Sequence, residues 1–131
     1  MAEIRHRNDD GRYYKTIPIH AAPQVHEQAY NLLSKYVEAG KEVLDLGAGS
    51  GAFSSRMHDQ GYKVVAADLD ISAWRVSEVQ SINLDLNTSF SENKLVKSQG
   101  YDVVTAIEVI EHVENPSHFL REIKKILKPD G

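Results

Sequence analysis

The chain has 131 residues, a net charge of -4 and no cysteine. Its length fits a single domain, and a hydrophobic fraction of 41% with 26% charged residues is typical of folded proteins rather than disordered or membrane-embedded ones. The lack of cysteine excludes disulfides, a thiolate metal site and a cysteine nucleophile, and the acidic balance disfavours nucleic acid as a partner. With no apolar run near the ~20 residues of a membrane span and no signal-peptide pattern, we expect a cytoplasmic protein without a membrane span.

Residues 1–22 are predicted to form an N-terminal arm. It carries alternating charges, an Arg-His-Arg cluster at residues 5–7 and an Asn-Asp-Asp-Gly turn signal at residues 8–11. We expect a solvated, partly ordered terminus, with a flap over the substrate as the alternative.

The domain is predicted to begin at residue 23 and to continue to residue 131. Apolar residues at helical spacing and a terminating Gly40 predict an amphipathic helix that packs into the core, with closure of a ligand pocket as the alternative. These apolar residues are Val25, Ala29, Leu32, Leu33, Tyr36 and Val37. We place His20 and His26 at surface or capping positions.

The rest of the chain is organised around residues 43–54, a short apolar run followed by a glycine-rich turn. The run is too short for a helix and predicts a buried strand, and a helix is predicted over residues 52–60. Gly47, Gly49 and Gly51 allow turn conformations closed to other residues and let a ligand approach the backbone. The turn therefore predicts a ligand site beside the start of a helix.

Two kinds of ligand fit this turn. Residues 47–52 satisfy the G-x-G-x-x-G/A pattern of dinucleotide-binding proteins, so a nicotinamide or flavin site stays open on the pattern alone. Asp45, however, lies inside the strand, where a carboxylate suits a cationic amino-acid ligand better than a pyrophosphate. With its D-x-G-x-G-x-G form, the segment resembles the first motif of the class I S-adenosylmethionine-dependent methyltransferases.

Strands and helices alternate after the turn. We predict strands over residues 63–67, 81–86 and 101–107, and helices over residues 71–79, 89–96 and from Pro116 onward. In the last helix the predicted buried residues are Ser117, Phe119, Leu120, Ile123, Ile126 and Leu127. This alternation predicts a parallel sheet whose strand ends share one edge.

That edge collects the other candidate ligands. Asp68 lies 68 − 47 = 21 residues after the first glycine, near the ~20 expected for a carboxylate that binds ribose hydroxyls. The resemblance implies an adenine contact at Asp85 and Leu86. It also implies that the cofactor is S-adenosylmethionine, with a set of contacts made by Asp45, Gly47, Ala48, Gly49, Gly51, Asp68, Leu69, Asp85, Leu86 and Glu108.

A second motif follows the fourth strand, at residues 107–116. It resembles the E-x-x-E-H-V-x-x-P segment of methyltransferases that include the ubiquinone-biosynthesis O-methyltransferases. Glu108, Glu111 and His112 would share a face if the segment were one helical turn, and could hold a hard cation or move a proton. We assign Glu111 and His112 to catalysis, with His112 as the proton acceptor. A related Glu-x-x-Glu-His segment occurs in small-RNA 2′-O-methyltransferases, where it helps to bind a divalent metal. We assign no metal here, because the further histidine of those metal-binding enzymes is missing.

The predicted fold is α/β, a Rossmann-like doubly wound parallel sheet in the strand order 3-2-1-4. The resemblance, which covers about residues 41–131, implies a seven-stranded fold whose later strands are missing here. We therefore expect an unpaired sheet edge and self-association through it.

The predicted function is methyl transfer from S-adenosylmethionine to a small-molecule acceptor, at an oxygen atom. The alternatives are an NAD(P)-dependent oxidoreductase and a module that binds S-adenosylmethionine without catalysis.

Overall fold

A computed structural model describes residues 12–131. The Arg-His-Arg cluster and the turn signal at residues 8–11 lie outside the described residues. The strands are β1 (Tyr13–Tyr14), β2 (Ile17–Pro18), β3 (Glu42–Leu46), β4 (Lys63–Asp68), β5 (Gln80–Asn83) and β6 (Val103–Thr105), and the α-helices are α1 (Val25–Tyr36), α2 (Ala52–Asp59) and α3 (Pro116–Ile126).

Strands β3 to β6 form one parallel sheet in the order β5-β4-β3-β6. Counted among these four strands alone, the order is 3-2-1-4, so the predicted fold class and strand order are confirmed. The register pairs Val43 with Val64 on one side and with Val103 on the other. The central position of β3 places the glycine turn that follows it in the middle of the sheet edge.

Apolar residues cover both faces of this sheet. Successive side chains of a strand point to opposite faces, and Val43 belongs to one core cluster while Leu44 belongs to the other. The first cluster includes Leu33 of α1 and Phe53 of α2, and the second includes Phe119 of α3. Helices therefore pack on both sides, as a doubly wound sheet requires.

A small antiparallel hairpin, β1 with β2, packs against α2. The hydroxyl of Tyr14 donates a 2.6 Å hydrogen bond to Asp59, and the guanidinium of Arg56 lies 4.7 Å from the centre of the Tyr14 ring. Ile17 is buried in the first core cluster. The expectation of a solvated terminus is wrong for this hairpin, because these contacts attach it to the domain. The domain boundary at residue 23 stays a prediction.

The predicted helix over residues 71–79 is absent, and turns take its place. The indole N–H of Trp74 donates to the backbone carbonyls of Val76 and Val79, and the backbone N–H of Arg75 donates to the carbonyl of Ser50. These bonds direct the backbone toward the glycine turn instead of along a helix axis.

Three other elements are shorter than predicted. Strand β5 ends at Asn83 because Asp85 starts a turn, accepting from the N–H groups of Asn87 and Thr88. In place of a helix over residues 89–96 there is one 3-10 turn, Phe90–Glu92, which ends where Asn93 becomes extended and its side chain accepts from Leu95. The last strand pairs with β3 only over Val103–Thr105.

Four residues predicted to be buried in the helices are exposed, namely Leu32 and Tyr36 of α1 and Ser117 and Leu120 of α3. In α3 the buried face instead includes Glu122, which is 1% exposed. Hydrophobic periodicity therefore predicted α1 and α3 but not the limits of their buried faces. In residues 12–131, no helix has the length and apolar character needed to cross a bilayer.

Candidate functional site

A cavity of about 400 Å³ opens at the carboxyl ends of the four parallel strands. Ligands of open α/β sheets bind at this edge, in the crevice beside the point where the strand order reverses. Here the order reverses at β3, since β4 lies on one side of it and β6 on the other. The cavity therefore lies where the fold places a ligand.

Ten of the twelve predicted site residues line this cavity: Asp45, Gly47, Ala48, Gly49, Asp68, Leu69, Asp85, Leu86, Glu108 and His112. The other two, Gly51 and Glu111, are not among the lining residues. Gly51 is buried below the turn, and Glu111 is exposed. The structure thus brings together most of the predicted set from four separate loops.

The glycine turn has the backbone conformation that its sequence predicts. Gly47, Gly49 and Gly51 all have positive φ, at 69°, 62° and 102°. A Cβ at Gly47 would lie 2.5 Å from a methyl carbon of Val109, so the turn is packed against the loop that follows β6. At Gly51 a Cβ would lie 2.6 Å from Val76, which explains the third glycine by packing rather than by ligand contact.

Asp68 connects β4 to the glycine turn. Its Oδ2 atom accepts a 2.8 Å hydrogen bond from the N–H of Gly49, and its Oδ1 atom accepts from the N–H of Asp70 at 3.1 Å. A carboxylate has about four lone-pair sites, so these two bonds leave capacity for ligand hydroxyls. Asp68 can therefore shape the turn and bind a ligand diol at the same time.

Asp45 lies under the turn and is 2% exposed. Its two oxygens accept hydrogen bonds from the hydroxyls of Ser54 at 2.6 Å and Thr105 at 2.8 Å. Burial raises the pKa of Asp45 to about 6, although both hydroxyls act to lower it. The carboxylate of Asp45 thus connects β3 to α2 and to β6 through hydrogen bonds. The sequence did not indicate this structural role of Asp45.

The segment after β6 does not form the helical turn considered above. Its 3-10 turn, Ile110–His112, begins after Glu108, which has a left-handed φ of 55°. Glu108, Val109 and His112 line the cavity, whereas Glu111 does not. Within residues 12–131, no three His, Asp or Glu side chains are grouped to hold a metal ion.

The segment between β2 and α1 forms part of the cavity wall. The Nε2 atom of His20 is 3.2 Å from the hydroxyl oxygen of Ser50 in the glycine turn, and the N–H of Ala22 donates to Glu108 at 3.4 Å. His26 also lines the cavity and packs against Phe53, with ring centres 5.1 Å apart. His20 is exposed, as its predicted surface position requires, whereas His26 is only partly exposed and lies in the cavity wall. No sequence pattern links residues 20–26 to the glycine turn, because the contacts are long-range.

Comparisons with known proteins agree with this geometry. A family model described as a methyltransferase domain matches residues 19–131. The ubiquinone biosynthesis O-methyltransferase of Proteus mirabilis is 33% identical over 97 residues, which are 70% of this chain and 40% of that enzyme. The corresponding enzyme of Caulobacter vibrioides is 37% identical over 98 residues, 70% of this chain and 38% of that enzyme. The chain thus spans about two fifths of these relatives.

A solved structure is similar to most of this chain. The PH0226 protein of Pyrococcus horikoshii superposes with a TM-score of 0.67 at 31% identity, covering 80% of this chain and 52% of that one. The matched region contains the four-stranded sheet and the cavity at its edge. On the family match, the sheet order and the glycine turn, this chain belongs to the methyltransferase-domain family, in the class I S-adenosylmethionine-dependent fold.

Proposed function

We propose that this chain binds S-adenosylmethionine and transfers its methyl group to an oxygen atom of a small molecule. The observation that carries the proposal is the convergence of the glycine turn, Asp68 and Asp85 on one cavity. The O-methyltransferase relatives support oxygen as the accepting atom, although they match only this part of their length. The family match disfavours an oxidoreductase.

The cavity fits this cofactor in size and chemistry. Its volume of about 400 Å³ lies in the usual range for small-molecule sites. Gly47 and Gly49 form a floor of the cavity that carries no side chains. A Cβ at Gly47 would collide with Val109. We assign the amino-acid group of the cofactor to this floor, its ribose to Asp68 and Leu69, and its adenine to Asp85 and Leu86.

Asp45 has a positioning role in this proposal. Both of its oxygens already accept hydroxyl hydrogen bonds, so it acts by fixing the start of α2 and the end of β6 around the turn. Its buried negative charge still favours a cationic group above the turn. Gly51 likewise shapes the turn, through its packing against Val76 and Trp74.

The reaction needs positioning more than chemical activation. The bound cofactor supplies a methyl group on a sulfonium, which is already a good leaving group. The chain must hold the accepting oxygen in line with that group and remove its proton. We propose that His112 accepts the proton and that Glu108, anchored to Ala22, orients the acceptor beside it. Glu111 is assigned no direct contact, since it does not line the cavity.

The experiment is a calorimetric titration with S-adenosylmethionine, S-adenosylhomocysteine and NADH. Saturable binding of the first two compounds and none of NADH is the expected result. Binding of NADH alone would overturn the proposal in favour of a dinucleotide site. The cytoplasmic location and the lack of a nucleic-acid partner stay predictions.

The accepting atom is tested next, by methyl transfer to a phenol and to an aniline of the same skeleton. The expected result is transfer to the phenol, strongly reduced in His112→Asn but unchanged in His58→Asn, since His58 is not among the residues that line the cavity. A variant that binds S-adenosylhomocysteine normally but transfers no methyl group separates a failed reaction from failed binding. Binding by the wild type with no transfer to any acceptor would favour a non-catalytic module.

A further inference from the structure

The loop between β6 and α3, which carries His112, is attached near both of its ends to other parts of the cavity wall. Near its start, Val109 packs so closely on the glycine turn that a Cβ at Gly47 would lie 2.5 Å from its methyl carbon. Near its end, the backbone N–H of Glu114 donates a 2.9 Å hydrogen bond to Oδ1 of Asn87. His112 lies between these two attachment points and lines the cavity.

Asn87 belongs to the turn that follows β5, where the adenine is assigned. It lines the cavity, and its backbone N–H donates to Oδ1 of Asp85 at 2.9 Å. A carboxylate accepts hydrogen bonds at both oxygens, so Asp85 can also accept from the amino group of adenine. Because the bonds of Asp85 and Asn87 share one turn, a bound adenine should stabilise the conformation in which Asn87 meets Glu114.

Three further contacts join the segment that follows Asn87 to one face of α3. They are a 3.0 Å hydrogen bond from Nε2 of His118 to the carbonyl of Thr88, a ring contact of 5.9 Å between Phe90 and Phe119, and hydrogen bonds of 3.0 and 2.7 Å from the N–H and the hydroxyl of Ser91 to Glu122. The three helix residues are spaced as one face of a helix requires. These contacts fix the segment against α3, and with it the position of Asn87 relative to Glu114.

We propose that Asn87 is a positioning residue for His112. Its side-chain carbonyl binds the N–H of Glu114 and so orders the loop that carries the proposed proton acceptor, and occupancy of the adenine site strengthens this order. The inference rests on the proposed function, because it links two parts of the same site. Neither the glycine turn nor the motif at residues 107–116 includes Asn87, and its contact with Glu114 spans 27 residues.

Amide hydrogen exchange at His112, followed by NMR with and without saturating S-adenosylhomocysteine, tests the proposal. The N–H of His112 donates to the carbonyl of Val109, so its exchange measures the order of the turn itself rather than the bond at Glu114. Loss of one hydrogen bond predicts that Asn87→Ala, with the ligand bound, exchanges this proton roughly 2- to 10-fold faster than the wild type. The ligand should slow the exchange more in the wild type than in this variant.

Two further variants separate the accepting oxygen from other effects of substitution. Asn87→Asp has the same shape and keeps the oxygen, so its exchange at His112 should stay within about twofold of the wild type. Asn93→Ala is the matched control and should change nothing at His112, since Asn93 accepts a local bond from Leu95 and is not among the residues that line the cavity. In Asn87→Ala, the Kd for S-adenosylhomocysteine should change less than about threefold, as a positioning role predicts.

Equal exchange at His112 in Asn87→Ala and the wild type, with S-adenosylhomocysteine bound to both, would overturn the inference and leave the proposed function intact. Equal acceleration in Asn87→Ala and Asn87→Asp would also contradict it, because the accepting oxygen would then have no role. Failure of the wild type to bind S-adenosylhomocysteine would overturn the proposed function and this inference with it.

Discussion

A 2.8 Å hydrogen bond joins the backbone N–H of Gly49 to the carboxylate of Asp68, so the residue that ends β4 holds the turn that follows β3. Two strands that are adjacent in the sheet thereby fix one binding surface. The same carboxylate is the proposed ribose ligand. Its removal should therefore affect both the shape of the turn and the contact with the cofactor.

Asp68→Ala should weaken S-adenosylhomocysteine binding by about 1.5–3 kcal/mol, or roughly 10- to 100-fold in Kd, because hydrogen bonds to a charged group are lost. Isothermal titration calorimetry measures the change. Asp70→Ala is the matched control, since Asp70 is exposed and its carboxylate accepts only a local bond from Ser72. Equal effects of the two variants would contradict a specific role for Asp68.

Gly51→Ala should destabilise the fold more than Gly40→Ala. Both glycines have left-handed φ, at 102° and 93°, so each alanine has a backbone cost of about 1–2 kcal/mol. At Gly51 the new Cβ also collides with Val76 and Trp74, whereas at Gly40 nothing lies within 4 Å. Overpacking should add about 1–3 kcal/mol at Gly51 alone.

Urea unfolding of both glycine variants measures this difference. Equal losses of unfolding free energy would mean that the loop over residues 71–79 moves away without cost. That result would also remove the packing explanation for the third glycine of the motif.

Asp45→Asn should change how stability depends on pH. Burial raises the pKa of Asp45 from 3.8 to about 6, so the folded protein binds this proton more tightly than the unfolded chain does. The contribution of Asp45 to stability therefore decreases as pH rises from about 4 to about 6, by on the order of 2–3 kcal/mol. The unfolding free energy of the wild type minus that of Asp45→Asn should fall across this interval. Parallel curves would contradict a raised pKa.

Glu122→Gln should have the opposite pH dependence. Burial acts to raise the pKa of Glu122, but the ammonium of Lys125 and two hydrogen bonds from Ser91 outweigh it and lower the pKa to about 2. The stabilising effect is complete above about pH 4.5 and is lost as pH falls toward 2. Glu122→Gln should therefore destabilise by on the order of 2–3 kcal/mol at pH 7 and by little near pH 2.

Chemical denaturation at several pH values tests the Glu122 prediction, with Glu114→Gln as an exposed control. A loss that is independent of pH would show that shape rather than charge determines the role of Glu122 in α3.

Self-association is expected through β6. This strand pairs with β3 on one side, and among the described residues only the isolated bridge between Tyr101 and Leu127 lies near its other side. Unpaired backbone groups at a sheet edge favour pairing with a second chain. Sedimentation velocity over a range of concentrations should show larger species, and a monodisperse monomer with a cooperative melt would contradict the prediction.

The sequence predicted those parts of the fold that depend on local pattern. The alternation of strands and helices predicted the parallel sheet, and the spacing to Asp68 predicted one wall of the cavity. The strand order and the contacts at Asp85 and Leu86 came from the family resemblance. Long-range contacts were not predictable in this way. His26 reaches the site through packing with Phe53, and Trp74 prevents a helix through hydrogen bonds within its own loop. Glu122 is buried because Ser91, 31 residues away, supplies its hydrogen bonds.

The cavity wall is assembled from residues that range from Pro18 to Val113. Parallel neighbours in the sheet are far apart in sequence, and closing such long loops makes folding slow. No hairpin or single βαβ unit of this chain contains the whole site, so a partly folded intermediate has no complete surface for the cofactor. Because a ligand stabilises only the state that it binds, cellular cofactor concentration should determine how much newly made chain escapes proteolysis.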